Sequence, residues 1–378
     1  MLAPPTTAIF TPTSSDVTRK AKKLLEKFPD PFLAEVAAQP AAIRRSAAGL
    51  HDQMAALRRV PAVRKGRQLI FTGMGGSYDT CYAPVTALAS AGISGLMVDS
   101  AELLYFRRAT LAGATLLVVV SQSGESAEVV RLIEELHRGP ECPFIVSVTN
   151  GTDNTLARMA SVSLDSHAGQ EQGPSTMTFA AALVVLAALA DVLRGQSADD
   201  ALARVDVEAQ AAAESVERLL ALLDNRAQRL RDWLGHRPVL TLLARGAGRA
   251  ASEMGALTLK EAARFPAEAM ESAQFRHGPL ELAGGEAAVV LIATEPATRE
   301  VDARLATELV QAGVAVLQIT ADGGQVPGVE SIALGPLDRM LAASAAIVPV
   351  QLLAWRLAVD RGFQPGTYTR SSKITTRE

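Results

Sequence analysis

Three times between residues 68 and 155 the chain repeats one device. "QLIFTGMGGS", "TLLVVVSQSGES" and "PFIVSVTNGTDNT" each carry a short apolar, largely β-branched run that stops at small polar residues and glycine. The second passes directly into "SAEVVRLIEELHRG", whose apolar residues recur every three or four positions, as on one face of a helix. A strand without alternation is buried on both faces, and strands alternating with helices are the pattern of a parallel sheet. The device returns in "PVLTLLARGAGRAASEMGALTLKEAARF", and "AAVVLIATEP" and "VAVLQITADGG" extend it. The second half echoes the first at a period of about 170 residues, too long for a solenoid. The fold class expected is α/β: two tandem copies of one domain, each a doubly wound parallel sheet flanked by helices.

Length agrees, since 378 residues exceed one ordinary core and suit two domains of about 150 residues each. Apolar residues make up 48% and charged residues 20%, a well-supplied core rather than a disordered chain. Residues 1–20 read as an arm. The stretches "VTRKAKKLLEKF" and "FLAEVAAQPAAIRRSAAGLHDQMAALRRV" carry helical patterning, with Pro40 expected as a break or first-turn residue. Residues 179–232 read as almost wholly helical. The boundaries expected are 1–44 for arm and helix, 45–195 for the first domain, 196–365 for a linker helix and the second domain, and 366–378 for a tail.

Several function classes drop out. A net charge of −3 leaves no basic footprint for nucleic acid. No unbroken apolar run reaches the roughly 18 residues that span a membrane; the nearest, "FAAALVVLAALADVL", reads as a buried helix. The N-terminal stretch lacks the pattern of a secretory signal. Cys81 and Cys142 lie far apart without metal-ligand spacing, which suits inert core thiols in a reducing cytoplasm.

In parallel α/β sheets ligands bind where strands end and helices begin, because the first N–H groups of a helix point at anions. Two loops of the first half stand there. "GMGGSYDT" offers Gly75 and Gly76 for close backbone approach and Ser77 as a hydroxyl; "SQSGES" offers Ser121, Gln122, Ser123 and Ser126. One such loop would be read as turn and cap residues. Two in neighbouring units, with small donors and no lysine, fit a phosphate monoester. A dinucleotide fingerprint is rejected: "GMGGSY" lacks the third glycine, and "RGAGRAAS" matches only the looser form with no acidic residue following as expected.

The segment "EMGALTLKEAARFPAEAMESAQFRHGPLEL" carries Glu253, Lys260, Glu261, Glu268 and Glu271 along what reads as a helical pattern, each taken alone a solvated helix face. It ends with His277 before Gly278-Pro279, where a turn can aim the ring into a cavity. Glu261 and His277 are sixteen residues apart, so a turn near Phe265-Pro266 is needed for them to meet.

These residues carry a resemblance. "FLAEVAAQP", "TGMGGSYDT", "SQSGESAEVV", "VTNGTDNTLAR", "AGQEQG", "GALTLKE", "AEAMESAQFRHGPLEL", "PVQLLAWRLAVDRG" and "SSKITTRE" stand in the order found in the sugar isomerase (SIS) domain family. Within that family the chain resembles double-SIS proteins, namely the isomerase half of glucosamine-6-phosphate synthase and stand-alone amino-sugar-phosphate deaminases. The resemblance implies two flavodoxin-like SIS domains and a sugar phosphate held by Gly75, Gly76, Ser77, Ser121, Gln122, Ser123 and Ser126. It implies Glu261 as the base moving a proton between C1 and C2. It implies His277 as the ring-opening histidine, supplied across a homodimer with shared sites, and Lys373 at the open-chain carbonyl, by Schiff base or electrostatically, on a tail that closes the site. No metal, flavin or nucleotide is implied, and no nucleic-acid or membrane partner.

Two departures stand out. Where the family has a lysine three residues before the base, this chain has Thr258, and Met177 replaces the lysine of the first-domain loop. The glutaminase segment of the synthase is not in this sequence. The function expected is a phosphosugar isomerase or deaminase acting on an amino-sugar 6-phosphate such as glucosamine 6-phosphate. Deglycation of a fructosamine phosphate, isomerisation alone and a non-catalytic phosphosugar sensor are the alternatives.

Overall fold

A computed structural model describes residues 30–64, 67–111, 115–221, 223–324, 326–370 and 372–377. The expected arm and the "VTRKAKKLLEKF" stretch lie outside these residues.

The long apolar runs form the strands expected of them. In the first half β1 (Leu69–Thr72), β2 (Gly95–Met97), β3 (Leu116–Val120), β4 (Phe144–Thr149) and β5 (Val162–Asp165) make a parallel sheet in the order β2-β1-β3-β4-β5. In the second half β6 (Leu240–Ala244), β7 (Ala267–Glu271), β8 (Ala288–Ala293), β9 (Ala315–Thr320) and β10 (Glu330–Ala333) are ordered β10-β9-β8-β6-β7. Counted from its own first strand, the second sheet repeats the order of the first. All pairings are parallel; Ile70 of β1, for instance, sits between Leu96 of β2 and Leu117 of β3.

The helices that matter here are α1 (Pro31–His51), α2 (Tyr82–Ser90), α3 (Ala127–Arg138), α4 (Met177–Leu193), α5 (Ala198–Leu220), α6 (Leu223–Leu234), α7 (Arg249–Ala263), α8 (Arg299–Gln311) and α9 (Ala342–Asp360). Helix α4 is buried along its whole length between α1, α5 and the first sheet. Its one charge, Asp191, is paired with Arg194 and Arg204. Among the described residues α9 is the one helix long and apolar enough to cross a membrane, rather than the 179–193 run singled out from the sequence; 89% of its most apolar window is buried inside the protein. It is a core helix packed on α6 and α7.

Four sequence expectations are corrected. Pro40 does not break α1, which runs on through it and through residues 44 and 45. A proline leaves the carbonyl four residues back without its N–H, and here the Gln39 amide donates to that carbonyl, Val36 O, at 3.1 Å. The carboxylate-rich stretch after Glu261 is not one helix. Helix α7 ends at Ala263, Arg264 takes a left-handed conformation (φ 49°), and Ala267–Glu271 is the edge strand β7. Edge strands β2, β5, β7 and β10 escape the apolar-run criterion because part of each is solvated. Finally, Cys142 is exposed rather than in the core; Cys81 is buried.

The two units are joined by α1. It packs against α4 and α5 and also touches α9. Trp355 Nε1 donates to Asp30 Oδ2 at 2.8 Å, and Gln39 Nε2 donates to Gln351 Oε1 at 2.8 Å, all four residues being buried.

Candidate active site

The carboxyl end of the first sheet faces one side of α7 and the tail, and a cavity of about 290 Å³ lies between them. From the first unit it is lined by Gly75, Gly76, Ser77, Gln122, Ser123 and Ser126, with Met74, Glu128 and Ser175 also on its wall; from α7 by Met254, Leu257 and Glu261; from the tail by Tyr368, Ser372, Lys373 and Thr375. Residues up to 300 positions apart in sequence thus converge on one space.

The loop after β1 is shaped for close approach. Gly76 opens a single turn at 76–79, and a Cβ there would come 2.6 Å from Met254 Sδ, so any larger residue would push the Met254 side chain aside. Ser77 Oγ accepts the Gln122 N–H at 3.3 Å and ties this loop to the one after β3. Ser121 is buried and its Oγ accepts the Gly124 N–H at 3.2 Å, while Ser123 Oγ accepts the Glu125 N–H at 3.1 Å. Ser121 therefore shapes the loop and does not line the cavity. Ser126 stands at the N-cap of α3 but makes no capping side-chain bond, which leaves its hydroxyl to the cavity it lines. The first N–H of α3, on Ala127, donates to Thr375 O of the tail at 3.0 Å. Hydroxyls, backbone N–H groups and a helix start make this end suited to an anion.

The opposite end is carboxylate and amine. Burial pushes Glu261 up to about 7, with Glu171 adding to the rise and Lys373 and Lys260 opposing it. Such a carboxyl is poised to take and return a proton near neutrality. Lys373 Nζ donates to Glu171 Oε2 and to Gly173 O, each at 2.6 Å. The Glu171 side chain is fully buried, and its oxygens also accept from the Thr176 and Thr178 hydroxyls and their N–H groups. Glu35 of α1 holds the same strap by accepting the N–H groups of Gln172 (2.5 Å) and Gly173 (3.2 Å).

The structure thus brings together Gly75, Gly76, Ser77, Gln122, Ser123, Ser126, Glu261 and Lys373. It does not bring His277 to them. The turn near Phe265-Pro266 exists, but His277 is exposed and does not line the cavity of its own chain. At the two departures Thr258 is buried and donates to Met254 O at 2.8 Å, and Met177 is buried at the start of α4. Sequence reasoning missed Glu171, Glu35 and Tyr368. The first two left a signal, a carboxylate amid small residues in "AGQEQG" and a lone charge on the apolar face of "FLAEVAAQP"; Tyr368 left none.

Fold and cavity define a tandem α/β protein whose site is built jointly by its two units. The chain belongs to the SIS domain family, whose model matches residues 62–191 and 237–359. It is 28% identical over 361 residues to a glutamine–fructose-6-phosphate aminotransferase (isomerizing) of Thermococcus kodakarensis, covering 93% of this chain and 58% of that protein. A relative of the same name from Bradyrhizobium diazoefficiens is 31% identical over 275 residues, 70% of this chain and 44% of the relative. The chain thus spans about half the length of such relatives. Among solved structures, the C-terminal domain of glucosamine-fructose-6-phosphate aminotransferase from Francisella tularensis superposes with a TM-score of 0.78 at 20% identity, over 89% of this chain and 98% of that one. Glucosamine-6-phosphate deaminase from Thermotoga maritima gives 0.71 at 19% identity, over 91% and 99%. Tagatose-6-phosphate ketose/aldose isomerase from Escherichia coli gives 0.73 at 23% identity, over 89% and 94%. These likenesses establish the shared fold.

Proposed function

We propose that this chain is a phosphosugar isomerase that acts on an amino-sugar 6-phosphate such as glucosamine 6-phosphate and releases ammonia. One observation carries the reading: a single cavity has an anion-suited, hydroxyl-lined end and, across it, Glu261 beside Lys373. The names of the relatives support the substrate class, since each refers to a phosphorylated sugar.

The phosphate rests on the Ser77 and 122–126 loops, which fixes the carbon chain with its C1–C2 end toward Glu261. In the open-chain aldose Glu261 removes the C2 proton and delivers it to C1, through an enolamine, while one proton of the C2 amine passes to O1. The resulting C2 imine takes up water and gives fructose 6-phosphate and ammonia. Negative charge builds on O1 as the proton leaves C2, and the Lys373 ammonium, oriented by Glu171 and Gly173 O, stabilises it. Both of its visible bonds are those of a held cation, which favours the electrostatic role over a Schiff base. Ring opening precedes this and falls to His277 of a second copy in a homodimer. Its exposure, and its absence from the lining of its own chain's cavity, support that arrangement.

A panel of hexose and amino-hexose 6-phosphates, followed by ammonia release and ketose formation, tests the reading. Turnover of an amino-sugar phosphate with both products in equal amounts is expected; no turnover of any phosphosugar overturns it. Mixing Glu261→Gln with His277→Ala protein should restore activity that neither has alone, and no restoration removes the shared-site dimer.

A further inference from the structure

The tail does more than carry Lys373 into the site. At Gly366 it turns in a left-handed conformation (φ 69°), and a Cβ there would come 2.8 Å from Pro174 Cδ and 3.2 Å from Phe32 Cβ. The Gly366 N–H points at Ala262 O at 3.4 Å. The turn is therefore fixed between α1, the strap that bears Glu171 and the last turn of α7, one residue from Glu261. Two residues on, Tyr368 lines the cavity together with Glu261 and Lys373. Its ring is partly buried, yet among the described residues its hydroxyl has no hydrogen-bond partner. A phenol so placed by a rigid turn on the wall of a polar cavity, with no protein group engaging its hydroxyl, leaves that hydroxyl available to what the cavity holds.

We propose that Tyr368 is a substrate-contacting hydrogen-bond donor of this site, giving its O–H to an oxygen of the open-chain sugar at the end handled by Glu261 and Lys373. The inference rests on the function proposed above and names a residue that reads the carbon chain rather than the phosphate. Its chemistry is one-directional. Burial first, and then the nearby carboxylates of Glu261, Glu171 and Glu35, push the phenol well above its ordinary range, so it is protonated and can donate at neutral pH. The ligand that satisfies it carries a hydroxyl or carbonyl oxygen near C1 to C3. Inorganic phosphate, which fills the serine end alone, does not reach it.

The test uses the full chain, Tyr368→Phe, and two probes: an acyclic hexitol 6-phosphate, which has the chain oxygens but no reactive carbonyl, and inorganic phosphate. The variant keeps the ring and loses no protein hydrogen bond, so its melting temperature should match that of the wild type. Calorimetric titration should give about tenfold weaker binding of the hexitol phosphate with phosphate binding unchanged, and turnover of the sugar phosphate should fall at least as far. Equal binding and turnover in variant and wild type would overturn the inference and leave the proposed function standing. Parallel loss of both probes with a lowered melting temperature would overturn it too, by assigning the ring a structural role. A wild-type chain that binds no hexitol phosphate would instead bring down the functional reading itself.

Discussion

The two sheets share a strand order but use the loops at their carboxyl ends in opposite ways. In the first unit the loop after β1 and the loop after β3 meet through Ser77 Oγ and the Gln122 N–H, and the serines around them line an open cavity. In the second unit the corresponding loops follow β6 and β8. There Glu295 Oε1 accepts the Ala247 N–H at 3.0 Å, and Glu295 Oε2 pairs with Arg339 Nε at 3.0 Å, with only 8% of the Glu295 side chain exposed. The second unit thus supplies its own carboxylate where the first leaves room for a foreign anion. It contributes to the site through the flank of α7 instead, with Met254, Leu257 and Glu261. On the proposed function the duplicated fold is divided into an anchoring half and a reacting half, and the loop after β3 or β8, lined by serines or closed by Glu295, marks which is which.

Glu261→Gln should break the reacting half while sparing the anchoring half. Turnover should drop by about a thousandfold, with sugar-phosphate binding retained by titration. The same variant should be more stable above neutrality. Glu261 titrates at about 7 in the folded chain against an ordinary 4.5, so the folded state holds the proton more tightly. Stability falls as pH rises from about 4.5 to about 7, and at pH 8 the ionised group is a net burden that glutamine lacks. A melting temperature at pH 8 no higher than that of the wild type would contradict the burial argument. In the wild type, kcat/KM should decline about tenfold per pH unit below about 7 as the base is protonated; a flat acid limb would take the proton transfer away from Glu261.

Glu295→Ala addresses the filled loop. It strips a buried ion pair from Arg339 and a bond from the Ala247 N–H, and should lower unfolding free energy by about 2 kcal/mol with KM for the sugar phosphate unchanged. A large KM effect would mean that the second unit's loop end also sees the ligand. The smallest effect expected is that of Ser123→Ala, whose hydroxyl faces the anchoring end. KM should rise about fivefold, roughly 1 kcal/mol, more than kcat falls, because an anchor remote from the reacting carbons binds ground and transition states alike. Lost stability with unchanged KM would reduce Ser123 to a turn residue bonded to the Glu125 N–H.

What could be read from the sequence follows from burial. Strands β1, β3, β4, β6, β8 and β9 lie inside their sheets, so nearly every residue is apolar and the runs stand out. The edges β7 ("AEAME") and β10 ("ESIA") are half solvated and mix polar residues into the run. The end of α7 was hidden because Arg264 takes a conformation usually signalled by glycine. Of the site, the serine loops were legible in local sequence, whereas Glu261, taken alone a solvated helix face, was singled out only through the family resemblance. Glu171 acquires its meaning only from Lys373, 202 residues away. His277 was legible as a residue type in a turn but not as an address, since it does not line the cavity that holds Glu261 and Lys373 in its own chain.

The hydrogen bonds that α1 makes to α9, Asp30 to Trp355 and Gln39 to Gln351, bear on how this gene could be cut. The two halves are not beads on a string. A fragment ending near residue 196 would keep α1 and lose α9 and α5, leaving Asp30, Gln39 and the apolar length of α4 facing water. The complementary fragment would bare Trp355 and Gln351. Expressed apart, each half should be insoluble; expressed together, they should recover each other. Such an outcome would make the molecule one cooperative unit of assembly, since α1 can close on α9 only after α9 has been made.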